Sequence, residues 1–268
     1  MIGTRPIRER LTFAQKRCLA LCGKLMQNTG MIGPGARIGI AVSGGVDSWV
    51  LLQTLHLRRS IVPFKFEIMA LHVNPGFDPE SHAPLLKWLE REGVAGHIEV
   101  SEHGPLAHSD VNQKRSACFF CAMLRRKALF DLCSKYQLSH LAFGHNADDL
   151  ASTFMMNLIQ NGRVDGMKMK DAFFGGRLSV IRPLMLVEKS LILKAAKAWN
   201  LPVWKNACPS AGSTRRADME NELNALYRLH PKAKTNVLSG LCRWEFDLTL
   251  ARDQGKHTET VRTNPADF

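Results

Sequence analysis

Short apolar runs alternate with longer amphipathic stretches along this chain. Apolar runs at 37–42, 66–73, 98–100, 140–144 and 178–184 are rich in Ile, Val, Leu and Ala and read as buried strands. Between them, apolar positions recur at helical spacing. Leu11, Ala14, Cys18, Leu21, Cys22 and Leu25 share one face of a helix predicted over 7–30. Asn28-Thr29-Gly30 and Gly33-Pro34-Gly35 end it. Further helices are predicted over 47–57, 82–93, 121–136, 148–160 and 188–199. The stretch 101–117 is polar and reads as irregular. The chain turns mostly helical again from about 210, and 252–268 hold few apolar groups.

Strands alternating with helices predict an α/β fold of Rossmann-like type. Its sheet is mainly parallel, with helices on both faces. The segments divide into an N-terminal helical part (1–35), the α/β domain (36–205), a C-terminal helical region (206–251) and a polar tail (252–268). In such sheets a ligand sits at the carboxyl ends of the strands, near a topological switch point. Ser43, His72, Cys118 and Gly144 all fall at or after predicted strand ends, which puts them on one rim.

Composition narrows the class. An apolar fraction of 45% over 268 residues suits an ordinary globular protein with a sizeable core. No apolar run approaches the ~20 residues of a membrane span, and the first residues lack the apolar core of a secretory signal. A cytoplasmic, reducing setting without a membrane partner is therefore expected. There, the seven cysteines are expected as metal ligands or core residues, not disulfides. The formal charge of +12 and pI near 9.6 point to a polyanionic partner, for which a nucleic acid is the natural candidate.

The most informative string is Ser43-Gly44-Gly45-Val46-Asp47-Ser48, set between a strand and a helix. Such a turn aims backbone N–H groups and a helix dipole at one point, a natural place for phosphate. Gly44 and Gly45 permit close approach, and Ser43 and Ser48 add hydroxyl donors. Neither a Walker A loop nor a dinucleotide fingerprint is present. Asp47 reads either as a carboxylate for Mg²⁺ beside a triphosphate or as a helix cap. Asn146, Asp148 and Asp149 offer a second acidic group or caps for the helix that follows Gly144-His145.

A second constellation is Cys118-Phe119-Phe120-Cys121, with Lys114, Arg115, Arg125, Arg126 and Lys127 nearby and Cys208 far downstream. A C-x-x-C pair at a helix start serves zinc, redox chemistry or an iron–sulfur cluster. Structural zinc needs four ligands, whereas three cysteines leave one iron of a four-iron cluster without a protein ligand. Cys18, Cys22, Cys133 and Cys242 fall on helices and read as core.

Four blocks together give a specific resemblance: Ser43–Ser48; Cys118-x-x-Cys121 with Leu124-Arg125-Arg126; Gly144-His145-Asn146-Ala147-Asp148-Asp149; and Val180-Ile181-Arg182-Pro183-Leu184 with Cys208 beyond. Over about residues 20–220 the chain resembles the tRNA 2-thiocytidine synthetase family of PP-loop ATP pyrophosphatases. The family usually has Lys where Val46 stands, a cysteine where Lys205 stands, and a less bulky pair than Phe119-Phe120.

The resemblance implies ATP, Mg²⁺ and a [4Fe–4S] cluster as cofactors, with tRNA as substrate. It also implies a sulfur donor such as a cysteine desulfurase or free sulfide, and admits a homodimer. Ser43, Gly44, Gly45, Val46 and Ser48 would bind the phosphates, Asp47 the Mg²⁺, and Cys118, Cys121 and Cys208 the cluster. Arg125 would neutralise the α-phosphate or the leaving group, Asp149 would serve as a second metal-binding or orienting carboxylate, and His72, Gly144 and His145 would border the nucleotide. Lys168, Lys170, Arg177, Arg215 and Arg216 are candidates for RNA phosphate contacts. Alternative readings are another PP-loop adenylating enzyme (ligase, amidotransferase or desulfurase) with a structural zinc, and a non-catalytic RNA-binding relative.

Overall fold

A computed structural model describes residues 11–112, 116–204, 207–210 and 215–253, with side chains described as far as residue 244. The elements in chain order begin α1 (Phe13–Asn28), β1 (Arg37–Ala41), α2 (Val46–Arg58), β2 (Glu67–Asn74), α3 (Ala83–Glu92), β3 (Ala95–Val100) and α4 (His103–Ala107). They continue α5 (Ala117–Lys135), β4 (His140–Ala142), α6 (Ala147–Asn161), β5 (Lys170–Phe173), β6 (Leu178–Ile181), α7 (Lys189–Ala198), α8 (Arg215–Leu229) and α9 (Ala233–Asp253).

The six strands lie in the order β3-β2-β1-β4-β6-β5, parallel except for the edge strand β5, which runs antiparallel to β6. Connections leave β1 leftward to β2 and return rightward to β4, so the switch point lies between β1 and β4. The fold is thus the expected mainly parallel α/β sheet with an N-terminal helix and C-terminal helices.

Side chains alternate across each strand and build two cores. Ile38 and Ile40 of β1 and Ile68 and Ala70 of β2 pack with Cys22 and Leu25 of α1, Trp49 and Leu52 of α2 and Ile192 of α7. On the other face, Leu71, Val73, Leu141 and Val180 pack against Leu129, Leu132 and Cys133 of α5. Gly39 of β1 faces this second core, where an added Cβ would lie 2.8 Å from Leu71 and 2.9 Å from Leu138. The helices start where the sequence supplies caps. Thr12 and Gln15 form a capping box on α1, Ser116 caps α5, and Asn146 with Asp149 forms a capping box on α6.

Several sequence expectations need correction. The stretch 101–117 is not irregular throughout, because α4 forms within it and buries Ala107. Helix α5 begins at Ala117 under the Ser116 cap, earlier than the expected 121, so Cys118 and Cys121 both stand in its first turns, at a helix start as expected. Strand β5 was not expected. A polar edge strand of four residues has no apolar run to announce it. Of the cysteines read as core, Cys18, Cys22 and Cys133 are buried but Cys242 is only half-buried. Lys114, Arg115, Lys205, Asn206 and most of the 252–268 tail lie outside the described residues. Among the described residues, no helix is long and apolar enough to cross a membrane.

Candidate active site

The carboxyl ends of β1 and β4 open into a cavity of about 210 Å³ at the switch point, on the face covered by α5. Its lining includes Ser43, Asp47 and Ser48 after β1, Leu71 and Val73 of β2, Arg125 and Leu129 of α5, and Gly144, His145 and Asp149 after β4. Four blocks distant in sequence therefore meet at one place.

The glycine turn is held by its own hydroxyls. Ser48 Oγ donates to Gly45 O at 2.8 Å and accepts from Ser43 N at 3.1 Å, while Gly45 N donates to Ser43 Oγ at 3.4 Å. Gly44 has φ +87°, and a Cβ there would lie 2.2 Å from the Trp204 ring. Trp204 N in turn donates to Gly44 O at 3.1 Å. Val46 is the first residue of α2, whose N-terminus points from this turn.

Asp47 does not cap its own helix. Its carboxylate accepts from Asn146 Nδ2 at 3.0 Å and from Lys189 Nζ at 2.5 Å. Asn146, the N-cap of α6, also accepts from Asp148 N at 2.9 Å and Asp149 N at 3.2 Å, so one amide joins both phosphate-side helices. Asp149 accepts from Asn146 N at 3.0 Å and pairs with Arg216 at 3.4 Å. Burial raises the Asp149 pKa. The Asn146 N–H and Arg216 oppose this, and the Asp47 carboxylate adds to it. Asp148 serves as an anchor, accepting from Lys189 N at 2.7 Å and from Lys234 Nζ at 2.7 Å.

Gly144 is required by close approach. A Cβ there would lie 2.9 Å from the Asp47 carbonyl carbon and 3.0 Å from Ser48 N. His145 is held neutral, its pKa pushed down to about 3 by burial and then by Arg182, Arg216, Arg126 and Arg125. Its Nδ1 is buried without a hydrogen-bond partner.

His72 does not line the cavity. The two-residue period of β2 turns Leu71 and Val73 toward it and His72 to the opposite face. There His72 is fully buried, donates from Nδ1 to Val42 O at 2.7 Å, and packs edge-on to Trp204 at 5.7 Å.

The three cysteines gather beside this cavity. Cys118 and Cys121 lie one turn apart on α5, with Arg125 one turn further on. Cys208 approaches from its loop. Burial raises the Cys121 pKa, Arg125 lowers it, and Cys208 and Cys118 raise it further, so both of the other thiols lie near Cys121. Cys118 Sγ lies 3.9 Å from Ser210 O, and Ser210 Oγ lies 2.9 Å from His108 Nε2, which ties the Cys208 loop to the end of α4. All three thiols are free and half-buried. Among the described residues, no three His, Cys, Asp or Glu side chains converge on a single-ion site. Three free thiols are donors of the type that an iron–sulfur cluster takes.

Of the basic residues proposed for phosphate contacts, only Arg216 reaches the site. Lys168 and Arg177 engage Asp171 and Phe174 O near β5, Lys170 donates to Gly30 O, and Arg215 is exposed. Sequence reasoning missed Lys189, Lys234 and Trp204. Lys189 did leave a signal, since a cation in the first turn of a helix opposes the helix dipole and needs a partner elsewhere.

The comparisons with known proteins agree with this geometry. A profile of the PP-loop domain matches residues 17–224. The tRNA-cytidine(32) 2-sulfurtransferase of Geobacter sulfurreducens is 32% identical, over 86% of this chain and 92% of its own length. That of Geotalea uraniireducens is 32% identical, over 82% and 88%. The fold is similar to the U34-tRNA thiolase NcsA from Methanococcus maripaludis, solved with its [4Fe–4S] cluster. Its TM-score is 0.69 at 23% identity, covering 91% of this chain and 88% of that one.

Proposed function

We propose that this chain, which belongs to the PP-loop domain family and groups with its tRNA-cytidine 2-sulfurtransferases, uses ATP to exchange a base carbonyl oxygen of tRNA for sulfur. The observation that carries the reading is the double duty of α5. One face of its N-terminal half presents Cys118 and Cys121, and the next turn places Arg125 in the cavity beside the glycine turn.

The first half is adenylation. The C2 carbonyl oxygen of cytidine attacks the α-phosphorus of ATP, an O–P bond forms, and the α–β bridge breaks. Pyrophosphate is received by the turn Ser43–Ser48, whose N–H groups and α2 dipole stabilise the charge it carries. Arg125 neutralises the α-phosphate as charge develops there. Lys189 and Asn146 hold the Asp47 carboxylate in place. Asp47 and Asp149 would hold Mg²⁺, which offsets the charge of the triphosphate when bound.

The second half replaces oxygen by sulfur. Attack of sulfide at C2 expels AMP, a far better leaving group than the original oxygen. Cys118, Cys121 and Cys208 would hold a [4Fe–4S] cluster, which when bound supplies an iron without a protein ligand for sulfur delivery. A cysteine desulfurase or free sulfide in the cytoplasm would provide the sulfur. The basic excess of +12 suits a tRNA substrate.

The test uses protein purified without oxygen, incubated with ATP, Mg²⁺, sulfide and tRNA from a strain lacking the modification. Nucleoside mass spectrometry should show a cytidine with oxygen exchanged for sulfur, with AMP and pyrophosphate formed alongside. Pyrophosphate release with no thiolated nucleoside would sink the sulfur half and leave a different PP-loop adenylating enzyme.

A further inference from the structure

A second cavity of about 320 Å³ lies beside the first, and its walls come from several elements. Helix α5 contributes Ala122, Arg125, Arg126, Leu129 and Phe130. The β4 end gives Phe143 and His145, and Phe173, Val180 and Arg182 come from β5, β6 and the residue after it, with Arg216 from α8. Arg125, Leu129, Phe143 and His145 line both cavities. Ala122 directly follows Cys121, so the second cavity adjoins the nucleotide pocket and borders the segment of α5 that carries the cysteines.

Its chemistry is unusual. Four guanidinium groups ring it, while the carboxylates paired with them are Asp171, 3.0 Å from Arg182, and Asp149, 3.4 Å from Arg216. Arg125 and Arg126 have no carboxylate partner among the described residues. All four arginines contribute to the depressed pKa of His145, an independent sign of positive potential inside the cavity. The remaining wall is aromatic and apolar. Phe130 and Phe173 lie tilted to each other with centroids 5.3 Å apart, and Phe143 lies tilted beside His145 at 5.7 Å.

An aromatic wall with a cationic rim matches a ligand that has one π-face and one anion. That is the chemistry of a nucleotide, and nucleic-acid proteins use it for bases splayed out of the stack. The volume is near the lower bound of about 300 Å³ for small-ligand pockets, which suits one nucleotide and not a duplex.

We infer that this cavity receives the single unstacked pyrimidine nucleotide that is modified, its base against Phe130, Phe143 and Phe173 and its phosphate among the arginines. The inference rests on the proposed tRNA thiolation. It assigns ATP and the target base to adjoining cavities that share Arg125 and His145. A base seated there lies beside the nucleotide pocket and along the helix that carries Cys118 and Cys121, as both halves of the reaction need.

The test is photo-crosslinking of the cluster-loaded protein to an anticodon stem–loop RNA carrying 5-iodocytidine at position 32. The crosslink should map by mass spectrometry to peptides holding Phe130, Phe143 or Phe173, and excess unlabelled stem–loop should abolish it. Competition by free CMP but not by the stem–loop would overturn the RNA assignment in favour of a mononucleotide site. In steady-state thiolation, Arg126→Gln, on an exposed position, and Phe173→Leu should raise KM for tRNA while leaving KM for ATP unchanged. Loss of a base stack is expected to cost about five- to 150-fold. Thiolation by the wild type with a crosslink elsewhere, or with unchanged KM for tRNA in both variants, would overturn the pocket and leave the proposed function standing. Absence of thiolation by the wild type would remove the function and the pocket with it.

Discussion

Gly144→Ala tests how tightly the two phosphate-side helices are fitted. The added methyl would lie 2.9 Å from the Asp47 carbonyl carbon, 3.0 Å from its oxygen and 3.0 Å from Ser48 N. All three are backbone atoms, so no side chain can swing away. Reaching an ordinary contact of 3.4 Å requires the first turn of α2 and the start of α6 to separate by about half an ångström. Overpacking of this kind costs about 1–3 kcal/mol, which in a chain of this size lowers Tm by roughly 2–12 °C. The displaced turn carries Asp47 and Ser48, and a misplacement near 1 Å can cost about a hundredfold in rate. Pyrophosphate release should therefore fall about tenfold or more. Gly33→Ala is the control, because a Cβ there meets nothing within 4 Å. Differential scanning fluorimetry and a pyrophosphate assay on both variants decide the matter. A Gly144→Ala protein that melts with the wild type and releases pyrophosphate at its rate would refute the packing argument.

Three further outcomes are expected. Cys208→Ala should abolish thiolation and lower iron content while ATP binding survives; equal loss of nucleotide binding would make Cys208 a folding residue. Asp47→Ala should stop formation of AMP and pyrophosphate, and undiminished pyrophosphate release would take Asp47 out of the mechanism. His145→Asn should flatten the acid side of the stability curve. The wild-type imidazole titrates at 6.5 when unfolded and at about 3 when folded, so its contribution is complete above pH 6.5 and is lost as pH falls toward 3. Unfolding free energies from urea titrations between pH 7 and 4 should fall less steeply in the variant, by at most the 1.36 kcal/mol per pH unit of one proton. His72, His103 and His140 are shifted the same way and act in both proteins, so parallel curves would exclude His145.

Local chemistry was legible in the sequence, and long-range pairing was not. The turn Ser43–Ser48 and the cap Asn146 declare themselves because short-range backbone rules dictate them. Ser43, His72, Cys118 and Gly144 could be assigned to one rim because parallel sheets put their strand ends together. The face of each residue was harder. His72 ends up opposite the cavity because one step along β2 reverses the side chain, and no local signal marks which of Leu71 and His72 faces the nucleotide. The bond between Lys189 and Asp47 spans 142 residues and depends on where α7 docks. Strand β5 is held by its pairing to β6 and not by any hydrophobic pattern of its own.

Trp204 shows why the phosphate turn and the third cysteine belong to one unit. An activated base must meet sulfur before water, so the two halves of the site have to keep a fixed relation. Trp204 precedes Cys208 by four residues and bonds through its N–H to Gly44 O. Its ring lies where a Gly44 side chain would be, and it packs edge-on to Trp49 of α2 at 5.8 Å and to His72 of β2 at 5.7 Å. Gly44 is thus demanded twice, by its φ of +87° and by the indole against its α-carbon. Trp204, four residues before Cys208, is thus braced on the same backbone that forms the phosphate turn.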